Sequence, residues 1–341
     1  MSVQHTVNYL GWLQEAAYGT DPNPNSNTHY VIGKNVTGQQ PSAEVQVNIN
    51  HYATYEPGQI LTTNHQVKAS PVGFEPVNCL PLKYIFQEAQ DQANPATGIS
   101  EAAGVFTIDP TTMVPLAQRA SWTWRTESSN SGESVRDHYL GNRAIDLTES
   151  LNFVGGAAQR LQSVLNYLGL RRVTPATDVS NPPIYPNSTS QSYKKDVNTI
   201  LTWDGDNMKP EMINFSWTVA NEPQTHPVDA QKYPEEQTTG NATYGWTVNI
   251  RRAGGNSAKF QIDWRDQLDN QASYNDLRFK IFNTATLYKD YTFGTCTITS
   301  IKRNIVKQAS VAIPTYEIRA VPTTMAIEFK DGLNKTTFYN L

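Results

Sequence analysis

The sequence predicts a mainly β protein, an antiparallel β-sandwich or barrel with little helix. Its second half holds short stretches in which apolar and polar residues alternate, the period of a half-buried strand. Aromatic residues make up 10% of the chain and favour strands because they fill a pleated surface. The 20 prolines and 20 glycines interrupt the chain too often for long helices. The clearest alternating stretches are residues 213–219, 246–250 and 260–264.

The first half predicts strands separated by polar connections. Residues 44–50 place Val45, Val47 and Ile49 on one face of a strand and polar side chains on the other. In chain order, the other expectations are an arm or first strand at 1–20, an irregular segment at 51–70, a strand-like stretch at 74–87, a loop or short helix at 91–104, and two strands at 121–125 and 137–148 joined by a turn at 128–132.

Residues 157–173 fit two kinds of element. Their apolar positions recur at the i, i+3, i+4 and i+7 spacing of a helix that ends at Gly169. Leu161, Leu165 and Tyr167 also fit one face of a strand. Periodicity alone therefore leaves helix and strand open here.

The organisation of the chain predicts two related β halves. Residues 174–195 are rich in Pro, Ser, Thr and Asn and poor in apolar side chains, which marks an internal boundary. Short, closely spaced strands favour an antiparallel sheet, because parallel strands need long helical crossovers. Further strands are expected at 291–301, 316–321 and 325–329. The resulting division is an N-terminal arm at 1–30, a first β domain at 31–180, a linker at 181–195 and a second β domain at 196–341.

Charge and cysteine content exclude several classes of protein. The net charge is -4 and no basic stripe is present, so tight nucleic-acid binding is not expected. Cys79 and Cys296 are too far apart for a zinc knuckle and too few for a disulfide framework, so we expect both to be free. The N-terminus lacks a signal-peptide pattern, and no stretch has the roughly 18 apolar residues of a membrane span.

No motif in the sequence positions a catalytic, cofactor-binding or metal-ligating group. The six histidines, at positions 5, 29, 51, 65, 138 and 226, never take the spacing that brings two zinc ligands onto one helical face. The nucleophile elbow, the phosphate-binding loop and the dinucleotide fingerprint are missing from the sequence. We therefore expect a protein that is not an enzyme, with no catalytic residue, no cofactor and no metal.

Three features have a functional and a structural interpretation. Residues 204–207 resemble the start of a calcium loop but lack its later ligands, which favours a tight turn. The adjacent Glu235 and Glu236 would need to face each other across a cleft to act in hydrolysis, and a solvated loop is the better interpretation. Three tryptophans that could stack on sugars fit core positions better: Trp203, Trp246 and Trp264.

The chain resembles the double-length tail tube proteins, or major tail proteins, of siphovirus-like tailed phages and archaeal tailed viruses. The likeness begins with Leu-Gln-Glu-Ala-Ala-Tyr-Gly-Thr at 13–20, followed by a proline-containing loop, and it runs along most of the chain. The other similar stretches are residues 138–148, the glycines at 155 and 156, residues 168–173 and residues 212–222.

That resemblance implies a structural virion protein, made in the host cytoplasm, that polymerises into the hollow tail tube through which viral DNA is ejected. It implies a β-sandwich tube domain, a strand at 157–173, and stacked rings locked by loops or by the N-terminal arm. The implied partners are other copies of the chain, the tape measure protein, the tail terminator and the distal tail protein. DNA would pass without tight binding, and no membrane is involved.

Strand edges give this interpretation a physical basis. Exposed edges invite aggregation unless charged or blocked, whereas a ring-forming subunit uses them to pair with its neighbours. Residues 295–300 and 311–315 carry no charge and are candidate pairing strands. If the halves are a duplication, three copies would form a pseudo-six-fold ring; with a single tube domain, six copies would.

Two other functions compete with the tail tube. Another β-sandwich virion component, such as a baseplate, tail tip or decoration protein, would share the composition but not polymerise into tubes. A carbohydrate-binding β-sandwich is suggested by the tryptophan and tyrosine content. Glycan binding would identify the second of these.

Overall fold

A computed structural model shows a protein built almost wholly of antiparallel strands. The described residues form twenty strands and two helices, so the prediction of a mainly β fold with little helix is confirmed. The structure describes residues 6–15, 30–37, 42–51, 57–68, 72–86, 99–110, 122–130, 133–154, 159–169, 171–173, 191–220, 223–226, 236–239, 243–251, 255–270, 276–308 and 311–333.

The elements follow one another in an order dominated by strands. They are β1 (Thr6–Gln14), β2 (Tyr30–Thr37), β3 (Ser42–His51), β4 (Pro57–Lys68), β5 (Val72–Pro76), α1 (Leu80–Phe86), β6 (Ile99–Ala102), β7 (Val105–Ile108), β8 (Trp122–Asn130), β9 (Glu133–Asn152), β10 (Gln162–Gly169), β11 (Arg171–Val173), β12 (Ile200–Trp203), β13 (Asp206–Asn207), β14 (Met212–Ala220), β15 (Pro223–His226), β16 (Glu236–Thr239), β17 (Thr243–Arg251), α2 (Gly255–Asn270), β18 (Leu277–Phe282), β19 (Tyr288–Gln308) and β20 (Val311–Lys330).

Strands of the first half pair in a closed circuit. β1 pairs with β2, β2 with β5, β5 with β10 and β10 with β9. β9 then pairs with β8, which returns to β1. The first strand expected within residues 1–20 is thus β1, and it has a neighbour on each side. β1 is therefore part of the sheet of the first half and not of a separate arm.

The second half continues from β9 as one row of strands. The order is β9, β14, β17, β20, β19, β18, β12 and β13, and every pairing is antiparallel. β9 belongs to both halves because its N-terminal part pairs with β8 and its C-terminal part with β14. The two halves therefore share one 18-stranded sheet.

The end of the expected linker also connects the halves. Lys194 forms isolated bridges with Arg160, just before β10, and with Phe282, the last residue of β18. The neighbouring Tyr193 is fully buried and accepts a hydrogen bond from the N–H of Leu161 at 2.9 Å. Residues 191–195 thus lie against strands of both halves.

The prediction of a strand at 260–264 is wrong, because these residues lie in α2. A stretch of five residues is short enough to fit either a strand or a helix. In α2, Phe260 and Asp263 are buried, and Gln267, one turn after Asp263, is half-buried. These three residues follow the i, i+3, i+7 spacing of a helix that packs on a sheet. Phe260 lies 4.9 Å from the ring of Trp203, centroid to centroid, and anchors α2.

Other boundaries also differ from the sequence prediction. The stretch 51–70, expected to be irregular, contains β4, whose Thr-rich sequence hides its alternation. The stretch at 74–87 divides into β5 and α1, because a short helix begins at Leu80. The candidates at 316–321 and 325–329 form the single strand β20, and the open choice at 157–173 is resolved as β10 and β11. Within 91–104, the described residues 99–104 hold β6 and a turn, and the rest lies outside the described residues.

One hydrophobic core runs through both halves. It joins Leu147 and Leu165 of the first half to Phe215 and Trp217 of the second, all at most 1% exposed. The rings of Trp217 and Tyr291 lie 5.1 Å apart, at 47° to each other. Neither α1 nor α2, the described helices, has the length and apolar character needed to cross a membrane.

Candidate assembly edge and buried polar centre

The longest hairpin, β19–β20, extends beyond the strands that flank it. On one side β18 pairs with β19 only as far as Phe293, and on the other side β17 pairs with β20 only from Thr315 onward. Residues 302–308 and 311–314, which we call the arm, pair with each other and with no third strand among the described residues. Residues 294–308 of β19, which we call the open edge, have β20 on one side and, among the described residues, no strand on the other side, past the end of β18.

The two edges of the hairpin differ in their capacity to pair. Pro314 and Pro322 flank the part of β20 that β17 covers, and a proline has no N–H to give to a neighbouring strand. β19 contains no proline. Pro314 pairs with Ile305, and a proline is tolerated where the main-chain groups of a pair point away from each other. The N–H of Ile305 therefore faces outward along the open edge.

Side chains cover the open edge nearest the body. The Gln267 side chain of α2 acts like one residue of a neighbouring strand: its Nε2 donates to the Ile298 carbonyl at 2.8 Å, and its Oε1 accepts from the Ile298 N–H at 2.9 Å. Asp276 accepts a hydrogen bond from the N–H of Thr295 at 3.3 Å. The uncharged stretch 295–300, predicted as a pairing strand, is thus partly covered within the subunit.

The arm is basic and exposed. Lys302, Arg303 and Asn304 are exposed, and Ile305 is 60% exposed although it is a large apolar residue. With Lys307 the arm carries three positive charges, and it contains no acidic residue. Because the whole chain has a net charge of -4, the remainder of the subunit is acidic.

A second hairpin, β3–β4, also extends beyond the strands that pair with it. Its strands pair from Ser42 with Lys68 to His51 with Pro57. Among the described residues a third strand meets it only at its base, where β10 pairs with Val67 and Lys68. The strand expected at 44–50 is confirmed as part of β3.

A buried carboxylate, Glu149 of β9, is the centre of a polar cluster in the core. Its Oε1 accepts from Lys289 Nζ at 2.8 Å and from Ser163 Oγ at 3.2 Å. Its Oε2 accepts from Trp217 Nε1 at 3.2 Å and from the Tyr291 hydroxyl. All five side chains are at most 1% exposed. A buried charge is stabilised only when it is paired and hydrogen-bonded, and Glu149 meets both conditions.

A second buried group, Asp331, lies next to this cluster. Its Oδ2 accepts from the N–H of Cys79 at 2.8 Å, and its Oδ1 from the N–H of Leu333 at 3.1 Å. The Cys79 thiol lies 3.3 Å from the Tyr193 hydroxyl, and the Lys289 ammonium lies 4.9 Å from the centroid of the Tyr193 ring. Glu149, Lys289, Tyr193, Cys79 and Asp331 therefore form one buried polar centre.

Burial is the largest cause of the pKa shifts of three groups in this centre. It raises the pKa of Asp331, while the hydrogen bonds from Cys79 and Leu333 and the charge of Lys289 act in the opposite direction. Burial also raises the pKa values of Cys79 and Tyr193 well above their ordinary values. Cys79 and Cys296 are both free and buried, as expected. Neither thiol meets the conditions of a reactive cysteine, which needs exposure and a lowered pKa.

The turn at 204–207 uses its acids within the subunit. Asp204 and Gly205 have positive φ angles of 50° and 79°, and the turn joins β12 to β13, as predicted. Lys259 of α2 bonds Asp204 at 2.8 Å and Asp206 at 2.7 Å. No group of three His, Cys, Asp or Glu side chains that could hold a metal ion occurs among the described residues.

The tryptophans considered as a sugar platform are core residues where they are described. Trp203 is 0% and Trp246 2% exposed, and their rings meet edge to face at 5.6 Å. Trp203 donates from Nε1 to Asp263 at 2.7 Å. The structure does not describe the side chains of Trp264 and of the six histidines. Of the adjacent glutamates, Glu235 lies outside the described residues, and Glu236 is the first residue of β16.

The buried polar centre was not predicted from the sequence, although a signal was present. Lys289 lies on the same buried face of β19 as Tyr291 and Phe293. Glu149 lies on the same buried face of β9 as Leu147 and Leu151. A charged residue at an inward-facing strand position indicates a buried partner of opposite charge. The two strands lie 140 residues apart in sequence, so the pairing itself required the fold.

The chain matches no protein-family model and no curated protein.

Proposed function

We propose that this protein is a structural subunit that polymerises into stacked rings and forms the hollow tail tube of a siphovirus-like virus. The observation that carries the proposal is the β19–β20 hairpin, whose arm leaves a long strand edge with no strand neighbour in the described part of the chain. An unpaired edge of this length is a template for another chain, and ring closure removes it.

The charge of the arm favours one mode of association. Two arms would repel each other because each carries Lys302, Arg303 and Lys307. An arm and the acidic body of a neighbouring copy attract each other instead. Such a head-to-tail contact is heterologous, and repeated heterologous contacts generate a ring when the rotation closes. In the proposal the ring holds three or six copies.

The interior of the subunit holds its two halves together, as a subunit of a mechanically stable tube requires. The buried polar centre bonds β9 and β10 to β14 and β19, and the halves share a core and a sheet. In the proposal, the β3–β4 hairpin contacts the next ring, and the net negative charge lets DNA pass without tight binding. The tape measure, terminator and distal tail proteins would meet the ends of the tube.

A proline at position 305 tests the role of the open edge. Ile305→Pro removes an outward-facing N–H but no hydrogen bond within the hairpin. One lost main-chain hydrogen bond at each subunit contact costs about 1 kcal/mol, and the proline ring adds a steric clash. We expect the critical concentration for tube formation, measured by pelleting, to rise about tenfold.

The matched control is Ile305→Thr, which keeps the N–H and a β-branched side chain and should polymerise like the wild type. An equal critical concentration for the proline and threonine variants would show that the open edge takes no part in assembly. If neither variant nor the wild type polymerises, another β-sandwich virion component becomes the better assignment.

A further inference from the structure

The buried polar centre holds the groups of an amide-forming reaction. It contains an amine, Lys289 Nζ, and two carboxyl groups, Glu149 and Asp331, all 0% exposed. One carboxyl, Glu149, bonds the amine directly at 2.8 Å. The other, Asp331, is held by two main-chain N–H groups. A lysine, a carboxyl to be attacked and a second carboxyl to move protons suffice for condensation.

The register of the hairpin brings the reacting residues together. Lys289 of β19 pairs with Phe329 of β20, and Phe329 and Asp331, two residues apart, are both fully buried. Asp331 therefore takes the diagonal position next to Lys289. Diagonal neighbours across an antiparallel pair lie roughly 7–8 Å apart, within reach of a lysine side chain.

We propose that Lys289 and Asp331 become joined by an intramolecular isopeptide bond, with Glu149 as the proton-transfer group. The reaction starts from the Lys289–Glu149 ion pair and a protonated Asp331. One proton moves from Nζ to Glu149 along their hydrogen bond, which leaves a neutral amine.

The amine then attacks Cγ of Asp331. The C–N bond forms, and the charge that develops on the carboxyl oxygen is stabilised by the N–H groups of Cys79 and Leu333. Glu149 relays a proton from the nitrogen to the departing oxygen. The C–O bond breaks and one water molecule leaves, so an ammonium, a carboxylate and a carboxylic acid give an amide, a carboxylic acid and water.

The surroundings favour the product. In water an ammonium and a carboxylate are more stable than the amide, but here both charges are desolvated, and the amide removes them. Tyr193, Tyr291 and Trp217 surround the groups and exclude water that would reverse the reaction. The bond would fix the residues that follow β20 to β19.

Intact-mass spectrometry of the wild-type chain tests this inference. The expected mass is lower than the sequence mass by one water molecule, and trypsin should release residues 281–302 joined to residues 331–335. A wild-type mass equal to the sequence mass would overturn the proposal. So would a dehydrated but linear peptide at 331–335, because Asp331-Gly332 can also lose water by forming a succinimide.

Two variants separate these outcomes. Lys289→Arg keeps the positive charge but offers no amine nucleophile, so the water loss and the joined peptide should both disappear. Glu149→Gln should have the same effect because the amide cannot accept the proton. Lys280→Arg, on the adjacent β18, is the control and should keep the cross-link. The result does not depend on tube formation, so this inference and the proposed function can fail separately.

Discussion

Removing the tip of the arm should abolish tube formation while the subunit stays folded. In the variant, residues 305–314 are replaced by Asn-Gly, a two-residue turn that closes the hairpin at the pair Asn304–Thr315. The deletion removes the most exposed part of the open edge, Ile305 and the charge of Lys307. Pelleting and electron microscopy at concentrations where the wild type polymerises should find no tubes.

The design of this variant leaves the core untouched. β17 pairs with β20 only from Thr315 onward, and Gln267 covers Ile298, so the strand pairings and side-chain contacts described between the hairpin and the body remain. Circular dichroism and the fluorescence of the buried tryptophans should therefore match those of the wild type. Normal tubes from a folded, truncated subunit would exclude the arm from assembly.

Loss of the central carboxylate should be the most destabilising single change in the polar centre. Glu149→Ala removes the ion-pair partner of the buried Lys289 and the acceptor of Tyr291 and Trp217. Breaking one side of a buried ion pair typically costs about 3–5 kcal/mol. We expect a decrease of that size in the free energy of unfolding, measured by urea denaturation of the unassembled subunit.

The control for this change lies on the same strand. Asp146 is half-buried, and among the described residues its carboxylate bonds only the amide of Asn166, at 2.8 and 2.9 Å. Asp146→Ala should cost about 1 kcal/mol, the net value of a typical hydrogen bond. Equal losses for the two variants would show that Glu149 does not hold the halves together.

Strand alternation predicted much of the fold because one face of most strands is buried. Residues 213–219 and 246–250 lie in β14 and β17, and their inward positions are the buried aromatic and branched residues. The same rule failed at 260–264, where five residues are too few to separate a period of 2 from one of 3.6. It also missed β4, whose polar residues do not alternate clearly with apolar ones.

The sites are harder to predict than the strands, because most of them are formed by residues that are distant in sequence. Free cysteines and the turn at 204–207 follow from local sequence, and the structure agrees with both. The pairing of Glu149 with Lys289 does not, since it depends on how β9 and β19 pack across the core. The sequence predicts a pairing strand at 295–300, but a side chain of α2 covers part of that stretch, and the sequence predicts a strand at 260–264, inside α2.

Negative-stain electron microscopy of the purified chain at high concentration tests the central claim most directly. The account predicts hollow tubes of uniform diameter or stacked rings, whose cross-sections would count three or six copies. A chain that remains monodisperse and monomeric at every concentration would contradict it.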